Sequence, residues 1–246
     1  MTLAEGDELA VPIVMHLAEM PYEVEGCFEK TCKSPVQHLE DIGFLSERLI
    51  AAHLIYVNDQ DIKILAKAGV GVAHNICANA KSGRPVSPAP AMHQAGIAVG
   101  LGTDGPMSGN HQDVLNLLGY YTKIHKQKAG NNQICPAIEA VELSTIGGAR
   151  ALKLDQLIGS LEVGKQADMI LVDTSAPNIL PVYDPYSALV YAAHPHNVTL
   201  TMVAGKLLMK DRELLTMDLP EVMMEVKEQT KRIQQFAREL NQQAGS

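Results

Sequence analysis

The sequence predicts an α/β fold with a parallel sheet, followed by a smaller β-rich unit and a terminal helix. Four short apolar segments are each typical of a buried strand. Helical patterns separate them, and this alternation favours parallel pairing through right-handed crossovers. Beyond about residue 156, short β-rich pieces are joined by Gly, Asp and Asn turns. The four predicted strands span residues 11–16, 49–57, 69–75 and 97–104.

Helical patterns lie between the predicted strands and after them. One opens with the capping residues Asn58 and Asp59 and ends at Gly69. Two longer patterns follow the fourth strand, the second with Pro136 in its first turn. The last pattern has mixed charge and predicts a solvent-facing helix. The predicted units are residues 1–155, 156–215 and 216–246.

The composition excludes several classes of partner. The 246-residue chain is 46% hydrophobic and carries a formal charge of −8, with no basic cluster, so nucleic acid is not an expected partner. The first ten residues are acidic, and no apolar run approaches the roughly 18 residues that span a bilayer. Four cysteines without C-x-x-C spacing are expected to be free thiols. We expect a cytoplasmic protein without a membrane partner.

Polar side chains at the strand ends suggest a site, because ligands bind at the C-terminal ends of parallel strands. His16 and Glu19 follow the first strand, although about half of one H-x-x-E match is expected by chance. His53 lies in an apolar run, where a hydrogen-bonded core histidine is the alternative. Asp104 stands between two glycines, where it could instead cap a turn.

Together, His16, His53 and Asp104 are the residue types of a metal-ligand set on three predicted strands of one sheet. Imidazole and carboxylate donors without thiolate suit Zn²⁺, Fe²⁺ or Mn²⁺, and a catalytic site keeps an open position for water. Glu19 is placed to move protons beside such an ion. His74 and His111 are further candidates, each interpreted as a pocket-lining or surface residue.

Five motifs resemble the amidohydrolase superfamily, in the branch of aminohydrolases that deaminate purines, S-adenosylhomocysteine, methylthioadenosine and triazines. The similarity covers roughly residues 9 to 210, and its last motif is especially specific. The motifs are "MHLAE", "AAHLIYV", "GVAHN", "VGLGTDGPMSGN" and "GSLEVGKQADMILVD".

The resemblance implies a (β/α)₈ barrel of the TIM type with a metal-bound hydroxide, flanked by a small β-sandwich. It implies that His16 and Asp104 bind the metal, that Glu19 is the proton shuttle and that His53 orients or polarises the hydroxide. Asp104 would also accept the proton of the water. One divalent ion is expected, zinc with iron as the alternative. We expect Glu19, His74 and Ser108 to contact the substrate.

Two departures from the family pattern limit this interpretation. The H-x-H pair of the first barrel strand is absent from every strand end, since the single match, residues 194–196, lies in the β-rich unit. Ile76 replaces a proline in a loop that is about two residues shorter than usual and that lines the substrate pocket. The chain is therefore expected to hold about strands 5 to 8 of the barrel, part of the sandwich and a terminal helix.

Two hypotheses of function follow. The first is metal-dependent hydrolytic deamination of a purine nucleoside-like or related heterocyclic amine, by a truncated chain that turns over poorly alone. The second is a non-catalytic fragment or interaction subunit that keeps the fold. Four parallel strands cannot close a barrel, so the apolar outer strands are expected to pair with another copy or with a partner that supplies the remaining half-barrel.

Overall fold

Two four-stranded sheets form the framework of the protein, in a computed structural model that describes residues 11–244. The first sheet is parallel with the order β1-β2-β3-β4, so the expected alternation of strands and helices is confirmed. The second sheet is antiparallel with the order β5-β6-β7-β8. The strands are β1 (Ile13–Leu17), β2 (Leu49–His53), β3 (Gly71–His74), β4 (Val99–Leu101), β5 (Met169–Val172), β6 (Val198–Val203), β7 (Lys206–Lys210) and β8 (Glu213–Leu214).

The strands of the parallel sheet are shorter than their apolar segments. β2 was expected to continue to residue 57 but ends at His53, because His53 and Leu54 have φ of 73° and 45°. β4 ends at Leu101, so Asp104 lies on the loop beyond the strand. Left-handed backbone cannot continue a strand, and such residues are invisible to a pattern of hydrophobicity.

Eleven α-helical segments accompany the sheets in the part of the chain that the structure describes. The cap prediction for α3 is confirmed, with Asn58 as N-cap and Gly69 as C-cap. The stretch at 136–154 forms two helices, because the backbone turns sharply at Thr145 (φ −123°, ψ −102°). The helices are α1 (Pro21–Thr31), α2 (Pro35–Asp41), α3 (Asp59–Ala68), α4 (Ile76–Lys81), α5 (Ala89–Gln94), α6 (Pro106–Gly109), α7 (Val114–Ala129), α8 (Ala137–Ser144), α9 (Ile146–Ala151), α10 (Pro185–Ser187) and α11 (Leu219–Ala244).

The main core lies between the parallel sheet and its helices. All five residues of β2 are buried, as expected for a strand covered on both faces. α9 packs directly on the sheet, because a Cβ at Gly71 would lie 2.3 Å from the carbonyl oxygen of Ala151. Two glycines, Gly71 and Gly100, therefore set how closely this helix approaches the strands.

A pocket of about 620 Å³ with a mostly apolar lining lies between the antiparallel sheet and the helices α7 and α9 that cover the parallel sheet. Its lining includes Leu101, Leu118, Met169 and Met202. The terminal helix α11 is confirmed, and its described side chains as far as residue 242 are exposed. No helix among residues 11–244 is long and apolar enough to cross a membrane. The acidic start, residues 1–10, lies outside the described residues.

Candidate metal and catalytic site

Three side chains from three strand ends meet at one edge of the parallel sheet. His16 lies on β1, His53 ends β2, and Asp104 follows β4. One ligand atom from each lies within 4.8 Å of the others. The sequence prediction that these residues share a site is therefore consistent with their placement, because parallel strands present their C-terminal ends together.

The backbone at these strand ends is unusual. Ala18, His53 and Asp104 have φ of 50°, 73° and 60°, in the left-handed region that non-glycine residues rarely adopt. Each such residue costs on the order of 1–3 kcal/mol and persists only because the surrounding contacts offset that cost. Backbone strain of this kind clusters at functional sites, and here it occurs at two of the three candidate ligands.

The imidazole and carboxylate groups surround a small polar space. His16 Nε2 lies 3.8 Å from Asp104 Oδ1, and His53 Nε2 lies 3.9 Å from Asp104 Oδ2. The two imidazole rings are stacked, with centroids 4.9 Å apart. The side chain of His53 is fully buried, whereas that of His16 is 63% exposed. The site therefore has one rigid imidazole and one that is open to solvent.

Glu19 joins this group from the turn after β1. Its Oε1 lies 3.4 Å from His53 Nε2 and accepts a hydrogen bond from Arg84 Nη1. Glu23 holds the turn in place, because its carboxylate accepts from the backbone N–H groups of Ala18 (2.7 Å) and Glu19 (2.9 Å). Glu19, the expected proton shuttle, thus lies beside His53 and is held in place by the guanidinium of Arg84.

The contacts of Asp104 are compatible with both alternatives that the sequence left open, a turn cap and a metal ligand. Its Oδ1 accepts from the Gly105 N–H at 2.8 Å, as in a turn cap, while the carboxylate also faces the two histidines. Partial burial raises the pKa of Asp104, but hydrogen bonds from Gly105 and Ser108 and the nearby imidazoles lower it more. The carboxylate is held in its charged form, which is the form that binds a cation.

His53 is held by two buried asparagines. Its Nδ1 lies 2.9 Å from Asn79 Oδ1, and its Nε2 lies 3.5 Å from Asn75 Nδ2. The amide of Asn75 packs over Gly102, where a Cβ would lie 2.4 Å from Asn75 Oδ1. Gly102, two residues before Asp104, therefore leaves room for a side chain that contacts His53.

The structure does not bring His74 into this group. Its ring is fully buried at the end of β3, with Nε2 at 3.0 Å from His125 Nε2 and with Tyr121 packed edge-on. The expected contact of His74 with substrate stays a prediction, as does that of Ser108. His111 lies near the start of α7, where its Nδ1 accepts from the Asp113 N–H at 3.5 Å. Cys77 is buried, and burial raises the pKa of its thiol to about 11.

Sequence reasoning missed Arg84, Asn75, Asn79 and Glu23. Asn75 and Asn79 lie in the segment "HNICANAKSGRPVSP", which drew attention through Ile76 and its loop length rather than through its amides. A signal for Asn75 was its position as the last residue of a predicted strand. Arg84 had no local signal, because its partner Glu19 is 65 residues away in the chain.

The donor set fits a divalent transition-metal ion. Two imidazole nitrogens and one carboxylate oxygen are the ligand types that zinc and iron sites use, and their mutual approach within 4.8 Å allows one ion to contact all three. A charged carboxylate and a neutral imidazole are the forms that bind a cation.

Comparison with known proteins agrees with this chemistry. The profile of the Amidohydrolase family matches residues 1–208. The chain belongs to the amidohydrolase family. A 5-methylthioadenosine/S-adenosylhomocysteine deaminase of Syntrophobacter fumaroxidans is 40% identical over 217 residues, covering 88% of this chain and 50% of the relative. A protein of the same name from Thermoanaerobacter pseudethanolicus is 39% identical, covering 92% of this chain and 52% of the relative.

Solved amidohydrolase structures agree in fold. An adenosine deaminase from Xanthomonas campestris with bound zinc superposes with a TM-score of 0.91 at 33% identity, covering 95% of this chain and 53% of that protein. An atrazine chlorohydrolase from Arthrobacter aurescens complexed with zinc superposes with a TM-score of 0.85 at 25% identity, covering 91% of this chain and 49% of that protein. These neighbours imply a fold of the TIM-barrel type. The chain spans about half the length of the curated relatives it matches.

Proposed function

We propose that this chain forms part of a metal-dependent aminohydrolase that removes an amino group from a purine nucleoside-like or related heterocyclic amine. The observation that carries the proposal is the meeting of His16, His53 and Asp104, with Glu19 beside them. The names of the relatives support the reaction class, since the matching proteins are called deaminases of adenosine-type compounds.

His16 and Asp104 are proposed to hold the ion, through an imidazole nitrogen and a carboxylate oxygen. The zinc in the neighbouring solved structures favours zinc over the alternative, iron. When bound, such an ion supplies Lewis acidity that makes water a nucleophile at neutral pH. Asp104 is then placed to accept the proton of the attacking water, because its carboxylate is charged and partly exposed.

Glu19 is proposed to carry protons to the substrate. Its carboxyl lies on the turn beyond β1, 18% exposed, so it can reach both the site and an incoming ring. It would protonate a ring nitrogen and afterwards the leaving amine. His53, buried and fixed, would orient the attacking water, and Ser108 and His74 are proposed to contact the substrate.

The proposed boundaries follow the sequence prediction. Residues 1–155 would belong to the hydrolase barrel, 156–215 to the β-sandwich and 216–246 to the terminal helix, with β1 to β4 equivalent to barrel strands 5 to 8. The partner is proposed to be another copy or a polypeptide that pairs with β1 and β4, the outer strands of the parallel sheet. The cytoplasmic location expected from the sequence stays a prediction.

The test compares variants of the purified chain after zinc is added. We expect the wild-type chain to bind zinc weakly and to release ammonia slowly from 5′-methylthioadenosine, S-adenosylhomocysteine or adenosine, because it holds only part of the proposed enzyme. Glu19→Gln should abolish ammonia release and leave the zinc content unchanged, whereas Asp104→Asn should lower both. Equal ammonia release by Glu19→Gln and wild type would overturn the role of Glu19. A chain that holds no zinc and releases no ammonia would favour the alternative, a non-catalytic interaction subunit.

A further inference from the structure

The terminal helix α11 is the longest helix of the described chain, and its side chains are open to solvent. It runs from Leu219 to Ala244, and every described side chain as far as residue 242 is exposed. Its first turn is capped, because Asp218 Oδ1 accepts from the Glu221 N–H at 3.1 Å. In proteins most helical stability comes from packing an apolar face against a partner. A helix of 26 residues that is exposed along its length therefore lacks the packing that usually stabilises one.

One side of α11 carries an apolar side chain at every seventh position. Leu219, Val226, Ile233 and Leu240 are each between 47% and 67% exposed. Thr230 lies on the same side, and its Oγ1 donates to the Val226 carbonyl oxygen at 2.8 Å, so this hydroxyl needs no water. An apolar repeat of seven residues over three heptads is typical of a coiled coil, in which the stripe packs against a second helix. The whole apolar stripe consists of Leu219, Val222, Met223, Val226, Ile233, Phe236 and Leu240.

The helices of residues 11–218 do not offer that second helix. The longest of them, α7, has 16 residues and already buries Leu117, Leu118 and Tyr121 in the main core. The others have at most 11 residues, which is too short to cover three heptads. A second copy of this chain supplies a helix of the same length with the same repeat.

The charges beside the apolar stripe favour a second copy in parallel alignment. At about 100° per residue, three cations lie along one flank of the stripe, and four glutamates with one arginine lie along the other. The arginine is already paired with Glu228 at 2.9 Å. Parallel helices place the acidic flank of one copy against the basic flank of the other, whereas antiparallel helices place the two basic flanks together. The basic flank is Lys227, Lys231 and Arg238, and the acidic flank is Glu221, Glu225, Glu228, Arg232 and Glu239.

We propose that α11 is a dimerisation helix, whose apolar stripe packs in parallel against the same stripe of a second copy of this chain. Glu221 and Glu225 of one copy then face Lys227 and Lys231 of the other, on both sides of the stripe. The pairing needs neither metal nor substrate and uses a surface separate from the outer strands β1 and β4. It therefore goes beyond the proposed function and does not depend on it.

The mass of the purified full chain, measured by sedimentation equilibrium, tests the pairing. We expect twice the mass of one chain for wild type and the mass of one chain for Ile233→Asp, which places a charge in the middle of the stripe. Met224→Asp is the matched control, because Met224 is 65% exposed and Ile233 67%, but Met224 lies on the opposite side of α11. This control should remain a dimer.

Two results of the mass measurement would overturn the proposal. A wild-type chain with the mass of one chain would assign the stripe to a different polypeptide. A dimer that persists in Ile233→Asp would assign the pairing to another surface. Neither variant changes a buried residue, so circular dichroism should show the fold of wild type in both.

Cysteine cross-linking tests the alignment of the two helices. In a parallel pair the two Leu240 positions meet, whereas full antiparallel overlap separates them by about 30 Å. Leu240→Cys should therefore form a disulfide-linked dimer under mild oxidation, seen on a non-reducing gel. Met224→Cys points away from the second copy and retains the exposed native thiol Cys32, so it gives the background. Equal cross-linking of the two variants would contradict the parallel pairing, whether or not the chain is a deaminase.

Discussion

At the scale of single residues, Arg84 is the least expected member of the site. Its guanidinium contacts Glu19 from the loop after α4, with both side chains about a quarter exposed or less. Ion pairs at exposed positions contribute little, but a pair that fixes a catalytic carboxyl acts through geometry rather than through stability. The loop at residues 82–85, which carries Arg84, therefore fixes the position of the Glu19 carboxyl, the proposed proton carrier.

Replacing Arg84 by methionine should lower turnover of the zinc-loaded chain by about tenfold, the lower end of what the loss of an orienting partner costs. The ammonia release rate measures this. Arg150→Met is the matched control, since Arg150 pairs with Glu142 on the exposed surface, and its rate should equal that of wild type. An Arg84→Met chain with the wild-type rate would show that Arg84 does not position Glu19.

At the scale of elements, the close approach of α9 to the parallel sheet depends on glycine. The Cβ of an alanine at position 71 would lie 2.3 Å from the carbonyl oxygen of Ala151 and 3.0 Å from its carbonyl carbon. Backbone atoms cannot move aside as a flexible side chain can, so the strand and the helix would have to separate. The strand ends that carry the site rest on this packing.

Gly71→Ala should lower the free energy of unfolding by about 1–3 kcal/mol, the usual cost of overpacking a core. Urea unfolding followed by circular dichroism gives the change. Gly26→Ala is the control, because Gly26 lies inside α1 with no atom within 4 Å of the new Cβ, and it should raise stability by about 0.5–1 kcal/mol. A Gly71→Ala chain as stable as wild type would mean that α9 does not pack closely on β3.

The cap of α3 offers a second prediction at this scale. Asn58 Oδ1 accepts from the backbone N–H groups of Gln60 (2.9 Å) and Asp61 (3.0 Å). Asn58→Ala leaves both donors without this partner and should cost about 1 kcal/mol of unfolding free energy. Asn58→Asp retains an accepting oxygen, so its free energy of unfolding should stay within a few tenths of a kcal/mol of the wild-type value. Equal loss in both variants would point to a contact other than the cap.

Elements were easier to predict from the sequence than the site. Apolar segments located all four strands of the parallel sheet, because burial on both faces leaves a continuous hydrophobic run. The ends were misplaced where His53 and Leu54 adopt positive φ, a conformation that hydrophobicity does not encode. The predicted strand ends bring His16, His53 and Asp104 close together, whereas Arg84 and Asn79 approach from loops and helices whose docking depends on tertiary packing.

At the scale of the whole molecule, an ion held by His16 and Asp104, at the ends of two different strands, should couple binding to folding. A ligand that binds only the folded chain adds about 2.7 kcal/mol at a concentration of 100 times its dissociation constant. We expect added zinc to raise the melting temperature of wild type and to raise that of Asp104→Asn much less. Asp41→Asn, at an exposed pair with Lys33, should respond as wild type does. An equal zinc response in Asp104→Asn would place the ion elsewhere.

The buried pair His74 and His125 should make global stability depend on pH. Burial lowers the pKa of His125 to about 4, and the positive charge of Lys128 adds a smaller effect in the same direction. Burial also lowers the pKa of His74 well below its usual value, with smaller contributions from the neighbouring His125 and His53. Around the pair, Tyr121 packs against both rings and donates to Glu139, so the described packing brings no carboxylate into hydrogen-bond contact with them.

Between about pH 4 and 6.5 the unfolded chain therefore binds more protons than the folded chain, and stability should rise with pH across this window and level off above it. The expected slope is about 1.4 kcal/mol per pH unit for each neutral histidine. Urea midpoints from pH 4.5 to 7.5 measure it. His125→Gln should flatten the slope, whereas His196→Gln, at an exposed position, should leave it unchanged. A slope that His125→Gln does not alter would mean that this pair is protonated without unfolding the chain.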